Sequence, residues 1–256
     1  MFNNIPPLTK NIIIVNIVVY IVTNIILYAF QNVEFYYSLA SYYPFSPFFK
    51  SWQIITSMFM HAPIDDGSGL MHIIFNMFML YNFSFMENIL GGKRFLLLYF
   101  LSGIGAYVLF NAWEFVQVEI FARQLENLGF NIYEYFSGTE QVLRGSQDEI
   151  ATQKDLVSKI TKIISTPLLG ASGAIFGVLA AFATIFPNAK LMILFIPFPV
   201  KAKHLLIFTV VISIFLGYSD RGNDGGTAHL AHVGGALVGF LLARVWRKHI
   251  NRFNQH

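Results

Sequence analysis

The chain contains no cysteine, which excludes disulfides, thiolate metal sites and a cysteine nucleophile. Charge is scarce as well: Asp, Glu, Lys and Arg make up 12% of the residues, and the net charge is only +3. No basic stripe interleaved with aromatics occurs, so nucleic acid is not indicated as a partner. There is no His-Glu-x-x-His segment, and no aspartate falls inside a long apolar run, which disfavours zinc-dependent and aspartyl centres and leaves no cofactor or metal indicated. No internal repeat is evident.

What the chain has is apolar surface. Of its 256 residues 55% are hydrophobic, 27 of them Phe, and the mean hydropathy is +0.56. That composition is too apolar for an ordinary soluble domain and indicates an all-α membrane protein with several spans. Runs of the length a bilayer requires, roughly 20 residues, lie at about 11–30, 69–89, 95–112, 170–187, 204–219 and 227–246. A six-transmembrane-helix bundle is therefore expected. The stretch 191–200 is also apolar, but it is short and carries Pro197 and Pro199, so it reads as a loop on or dipping into the membrane. The first run has no small-residue cleavage site after it, so it reads as an uncleaved helix rather than a signal peptide.

Basic residues set the orientation. With the N-terminus inside, the inner set is Lys10, Lys93, Arg94, Lys190, Lys201, Lys203, Arg244, Arg247, Lys248 and Arg252, accompanied by one acid, Glu87. This satisfies the positive-inside rule and places both termini in the cytoplasm. Residues 31–68 then form an aromatic, turn-rich outer loop, and residues 113–166 an extracytoplasmic insertion between spans three and four. Within it "WEFVQVEIFARQLENL" has helical periodicity, and Ser146 with Glu149 forms a capping box opening a second helix. An amphipathic pair on the outer surface is expected. The six-span plan and short N-terminus suggest a bacterial cytoplasmic membrane.

Ionisable groups in a bilayer are expensive and mark function. Those that need explaining here are His72, His229, His232 and Glu87. The second, fourth and sixth runs all proceed inward, so His72, Ser172 and His232 lie at about the same depth beneath the outer face, with Asn76 one turn below His72. Each has a structural alternative. His72 with Asn76 suits interhelical hydrogen bonding, and His229 with His232 could form half of a metal site, although no cysteine or nearby carboxylate completes it. Their shared depth favours chemistry. Gly173 and Gly177 on the fourth run, and Gly235 and Gly239 on the sixth, form small-x-x-x-small faces that let two helices meet closely. If those faces meet, the Ser172 hydroxyl reaches the His232 imidazole, the arrangement a serine nucleophile needs. Ser172 also opens its helix, where free amides stabilise an oxyanion, and His72 and Asn76 face it as further donors.

These residues resemble the rhomboid intramembrane serine proteases. "GASGAIFG" (170–177) is similar to that family's G-x-S-G segment, "HIIFN" (72–76) to its His-x-x-x-Asn, and "AHVGGALVG" (231–239) to its histidine with trailing glycines. The resemblance covers about 50–245 and implies Ser172 as nucleophile and His232, not His229, as general base. It implies His72, Asn76 and the Ser172 amide as the oxyanion hole, with Gly170 shaping the turn. Phe176 would stack on the catalytic histidine, and Glu87 would be structural. Two features depart: Trp52-Gln53 stands where a Trp-Arg pair is common, and the insertion is long. Substrates are expected to be single-span or other transmembrane proteins entering laterally from the lipid bilayer, past the fifth helix, and cut near their outer end. The 220–226 loop, "DRGNDGG", is expected to cap an outward-open polar cavity. An inactive rhomboid-like chaperone is the alternative, but it would be expected to lack the serine or the histidine. A proton-relay transporter is disfavoured because the helices below Asn76 and His232 are nearly all apolar.

Overall fold

A computed structural model describes residues 5–65, 67–139, 142–191, 199–219 and 226–253. Among these residues the chain forms eleven α-helices and one short strand pair. α1 (Pro7–Tyr28) places its proline in the first turn, where a missing N–H costs nothing. α2 (Val33–Leu39) is capped by the Asn32 side chain, which accepts from the Phe35 amide. α3 (Gln53–Thr56) runs into a single 3-10 turn, and α4 (Ser68–Asn82) and α5 (Phe85–Leu90) follow. Then come α6 (Gly92–Asn127), α7 (Ile132–Phe136), α8 (Gln147–Ser165) and α9 (Ser172–Ile185). β1 (Lys190–Leu191) pairs antiparallel with β2 (Val200–Lys201), ahead of α10 (Ala202–Ser219) and α11 (Gly226–Phe253).

A helix stands at each of the six apolar runs, but their lengths differ. α1, α6 and the stretch His229–Arg247 of α11 are long and apolar enough to cross a membrane. α4 and α9 have 15 and 14 residues, rising only about 22 and 21 Å against a hydrocarbon layer of about 30 Å. The second run is interrupted at Phe83–Ser84, and its last turn, α5, carries Glu87 to the start of α1. There the carboxylate accepts from the Leu8 amide (3.1 Å), the Thr9 amide (2.7 Å) and the Thr9 hydroxyl (2.8 Å). Three donors for one buried acid explain why Glu87 is tolerated there.

The bundle is apolar on its outside as well as within. Val18 and Ile21 of α1, and Ile207, Phe208, Val211 and Phe215 of α10, are exposed. An apolar belt of this extent suits lipid, where only backbone groups bonded within helices are admissible. α9 is hydrophobic all round, and every residue from Gly173 to Ile185 is buried except Phe176 and Thr184, which makes it the central helix.

α9, α11 and α6 meet backbone to backbone. A Cβ on Gly235 would overlap the Gly173 carbonyl, and one on Gly239 the Gly177 carbonyl; one on Gly173 would strike the Ala106 side chain of α6. The offset is constant, 173 to 235 and 177 to 239, so α9 and α11 run parallel in register.

The 113–166 insertion takes a form the sequence only half suggests. The segment expected as a separate helix after span three is the unbroken continuation of α6, 36 residues in all and about 54 Å long. No proline or glycine falls between 113 and 127 to stop it. α8 does open on the expected capping box: the Ser146 amide donates to the Glu149 carboxylate (2.7 Å), and the Glu149 amide to the Ser146 hydroxyl (3.3 Å). Val118, Ala122 and Leu125 of α6 pack on Leu156, Ile160 and Ile163 of α8, giving the insertion its own core. The Ser46 hydroxyl ties the first outer loop to it by donating to the Ile164 carbonyl at 2.6 Å.

Candidate active site

The segment entering α9 is held before the helix begins. Leu168 pairs with Ser41 through two backbone bonds of 2.6 and 2.9 Å, and the Gly170 amide donates to the Ser57 carbonyl at 2.9 Å. Gly170 adopts φ +126°, a conformation that side chains rarely permit. A Cβ there would also lie 3.1 Å from the His72 ring and 3.6 Å from the Ser172 hydroxyl oxygen. Glycine is therefore required twice, by the turn and by the approach of His72. Ser172 follows as the first residue of α9, whose cap makes no side-chain hydrogen bond. Its first-turn amides have no intrahelical partner.

His232 Nε2 lies 2.9 Å from Ser172 Oγ. The imidazole is clamped from one side by Phe176, whose ring is parallel to within 2° at a centroid distance of 4.2 Å. Phe176 lies one turn along α9 from Ser172, so one helix carries both the hydroxyl and the ring that orients its partner. His229 meets His232 edge-on at 5.9 Å. Among the described residues no group of three or more His, Asp or Glu could hold a metal ion.

Ser172 and His232 open onto a cavity of about 150 Å3, whose lining includes Ser57, His72, Tyr107 and Gly170. That volume is ample for water beside the hydroxyl. Asn76 is not part of this lining; it is buried on α4 with its Nδ2 lacking a hydrogen-bond partner among the described residues. A buried donor left unspent is a liability to folding. The sequence reading missed His61, which is fully buried with its ring 5.0 Å from that of His72. Burial first, and His72 second, push its imidazole down to about 3, so it stands neutral behind His72. His61 lies in the outer loop rather than in an apolar run, and intramembrane polarity alone does not flag it.

Trp52-Gln53 anchors the first outer loop without an arginine. Gln53 is fully buried; its Nε2 donates to the Ser38 and Phe48 carbonyls, its Oε1 accepts from the Lys50 amide, and Trp52 Nε1 donates to Ser38. The expected cap over the cavity, 220–226, lies outside the described residues except for Gly226, as does 192–198 of the expected membrane loop.

Fold and site together define a class: helical membrane proteins with a half-buried serine–histidine pair between two glycine-packed helices. The chain belongs to the rhomboid family, whose Rhomboid domain matches residues 49–120 and 145–249. The unmatched 121–144 fall within the insertion. Rhomboid protein 1, mitochondrial, of Saccharomyces cerevisiae is 39% identical over 75 residues, 29% of this chain and 21% of that protein. An uncharacterized mitochondrial rhomboid protein of Schizosaccharomyces pombe is 33% identical over 89 residues, 33% of this chain and 22% of that one. The chain thus matches about a fifth of the length of these relatives. No solved structure matches it. Both relatives are designated mitochondrial, so they lend no support to the bacterial membrane expected from the sequence.

Proposed function

We propose that this chain is an intramembrane serine protease, hydrolysing peptide bonds in or near transmembrane segments of membrane-protein substrates. The observation that carries this reading is the 2.9 Å contact between Ser172 Oγ and His232 Nε2, with the imidazole stacked on Phe176. As Ser172 Oγ attacks the scissile carbonyl carbon, neutral His232 takes the hydroxyl proton at Nε2. The carbonyl oxygen becomes an oxyanion, met by the Ser172 amide and by donors from His72 and Asn76. Collapse breaks the C–N bond; His232 returns its proton to the leaving amine, and Ser172 is left acylated. Water then attacks the ester carbon, giving its proton to His232; collapse breaks the C–Oγ bond, His232 returns the proton to Ser172 Oγ, and the acid product leaves. Among the described residues no carboxylate bonds the imidazole, which is held instead by the stacked Phe176 ring.

Substrates are transmembrane proteins, single-span ones above all, which enter laterally at α10 and are cut near their outer end. A helical peptide bond is shielded by its own hydrogen bonds, so unwinding precedes attack, and helix-destabilising residues beside the scissile bond are expected. The basic loops and tail support a reading in which both termini lie on the inner side and the Ser172 cavity opens to the opposite face. The inactive rhomboid-like alternative has no observation in its favour, since hydroxyl and imidazole are both present and bonded.

Cleavage of a single-span model substrate by the purified chain tests this reading. His232→Ala is expected to lower turnover by about three orders of magnitude or more, and His229→Ala to leave most of it. Equal losses would contradict the assignment of His232.

A further inference from the structure

A second cavity lies at the far end of the bundle from Ser172. Its volume is about 630 Å3, and it is walled by the inner ends of α9, α10 and α11. Leu206, Ile207 and Phe240 supply apolar wall, while Lys203, Arg244 and Arg247 supply charge, and among the described residues no carboxylate lines it. Ile207 is 60% exposed, so the slot opens sideways toward lipid. Two contacts hold the guanidiniums at its mouth: Arg244 stands over the Phe240 ring at 5.2 Å, and Arg247 donates to the Thr184 carbonyl at 3.4 Å.

The depth of these cations is set by α11. Arg244 and Arg247 follow His232 by 12 and 15 residues, about 18 and 22 Å along the axis. His232 itself lies about 9 Å below the start of the helix. The cations therefore fall about 27–31 Å from the outer end, at the inner border of a hydrocarbon layer about 30 Å thick. Lys203, in the first turn of α10, joins them from the neighbouring helix.

Basic side chains near helix ends ordinarily snorkel to the headgroups. Here three of them surround the mouth of an apolar slot whose lining offers them no anion. Guanidinium matches phosphate in two-point geometry, and basic pockets between transmembrane helices at the inner face suit anionic headgroups. We propose that this cavity is a binding site for an anionic glycerophospholipid of the inner leaflet. The phosphate sits among Lys203, Arg244 and Arg247, and one acyl chain lies along Leu206, Ile207 and Phe240. The inference is independent of the protease reading, because no group at Ser172 takes part.

Native mass spectrometry of the delipidated full chain, titrated with phosphatidylglycerol or phosphatidylcholine in mixed micelles, tests the proposal. Phosphatidylglycerol is expected to be retained selectively, and the doubly substituted Lys203→Gln, Arg244→Gln chain to lose at least about tenfold in affinity, each charge being worth about fivefold. Equal retention of the two lipids, or unchanged affinity in a folded double variant, overturns the proposal. Should that variant fail to fold, Ile207→Trp fills the slot from its lipid-exposed side; it is expected to lower retention with all three cations intact, and unchanged retention again overturns the proposal. Inorganic phosphate is expected not to displace the lipid at millimolar concentration. Full displacement would make the site one for free phosphate and overturn the lipid assignment.

Discussion

Asn76 is the residue whose state most needs a reason. It is 4% exposed, and its Nδ2 has no partner among the described residues, so the fold carries an amide donor that contributes nothing in the resting protein. A donor reserved for a transition state has that property. Asn76→Ala is expected to lower kcat by about 10²–10³ with KM little changed, as loss of one oxyanion donor does. An effect confined to KM would remove Asn76 from the chemistry. At this scale much was legible, because polar groups in apolar runs are few. Ser172, His72 and His232 could be placed at one depth by counting residues along helices of known direction. The stack of Phe176 on His232 could be inferred only by resemblance, since an aromatic in an apolar run carries no signal of its own. His61 and Ser57 escaped because the outer loop gives no periodicity from which to place them.

Among the helices, the α9–α11 contact determines whether the two reacting groups meet. Gly177 and Gly239 touch backbone to backbone about two turns below His232. Gly239→Leu is expected to push the helices apart, lower the thermal unfolding temperature in detergent by the equivalent of about 1–3 kcal/mol, and abolish cleavage without touching a reacting atom. Leu237→Ala, at an exposed position on the same helix, is expected to leave both unchanged. Full activity in Gly239→Leu would show that this packing does not set the site. The small-residue spacing made the contact readable in the sequence, and the Ser146–Glu149 pair made the start of α8 readable. The length of α6 was not, because hydropathy falls at Glu114 while nothing in 113–127 ends a helix; hydropathy reports contact with lipid, not helix termination. The interruption at Phe83–Ser84 was hidden for a related reason, as no proline or glycine marks it.

Across the whole molecule, the asymmetry of charge and the depth of the site make one claim about sidedness. A chain without cysteine accepts single introduced cysteines cleanly. In sealed vesicles with the outer face exposed, Asp148→Cys is expected to react with an impermeant maleimide, and Lys10→Cys only after permeabilisation. The reverse pattern would invert the topology and put the Ser172 cavity on the wrong side. The family match and the helical bundle establish what kind of protein this is, and the serine–histidine contact is the feature on which its proposed chemistry depends. Labelling of the purified chain with a fluorophosphonate probe tests that contact most directly. The wild-type chain is expected to label and Ser172→Ala to lose the label completely; labelling that persists unchanged in Ser172→Ala would contradict the assignment of Ser172 as nucleophile.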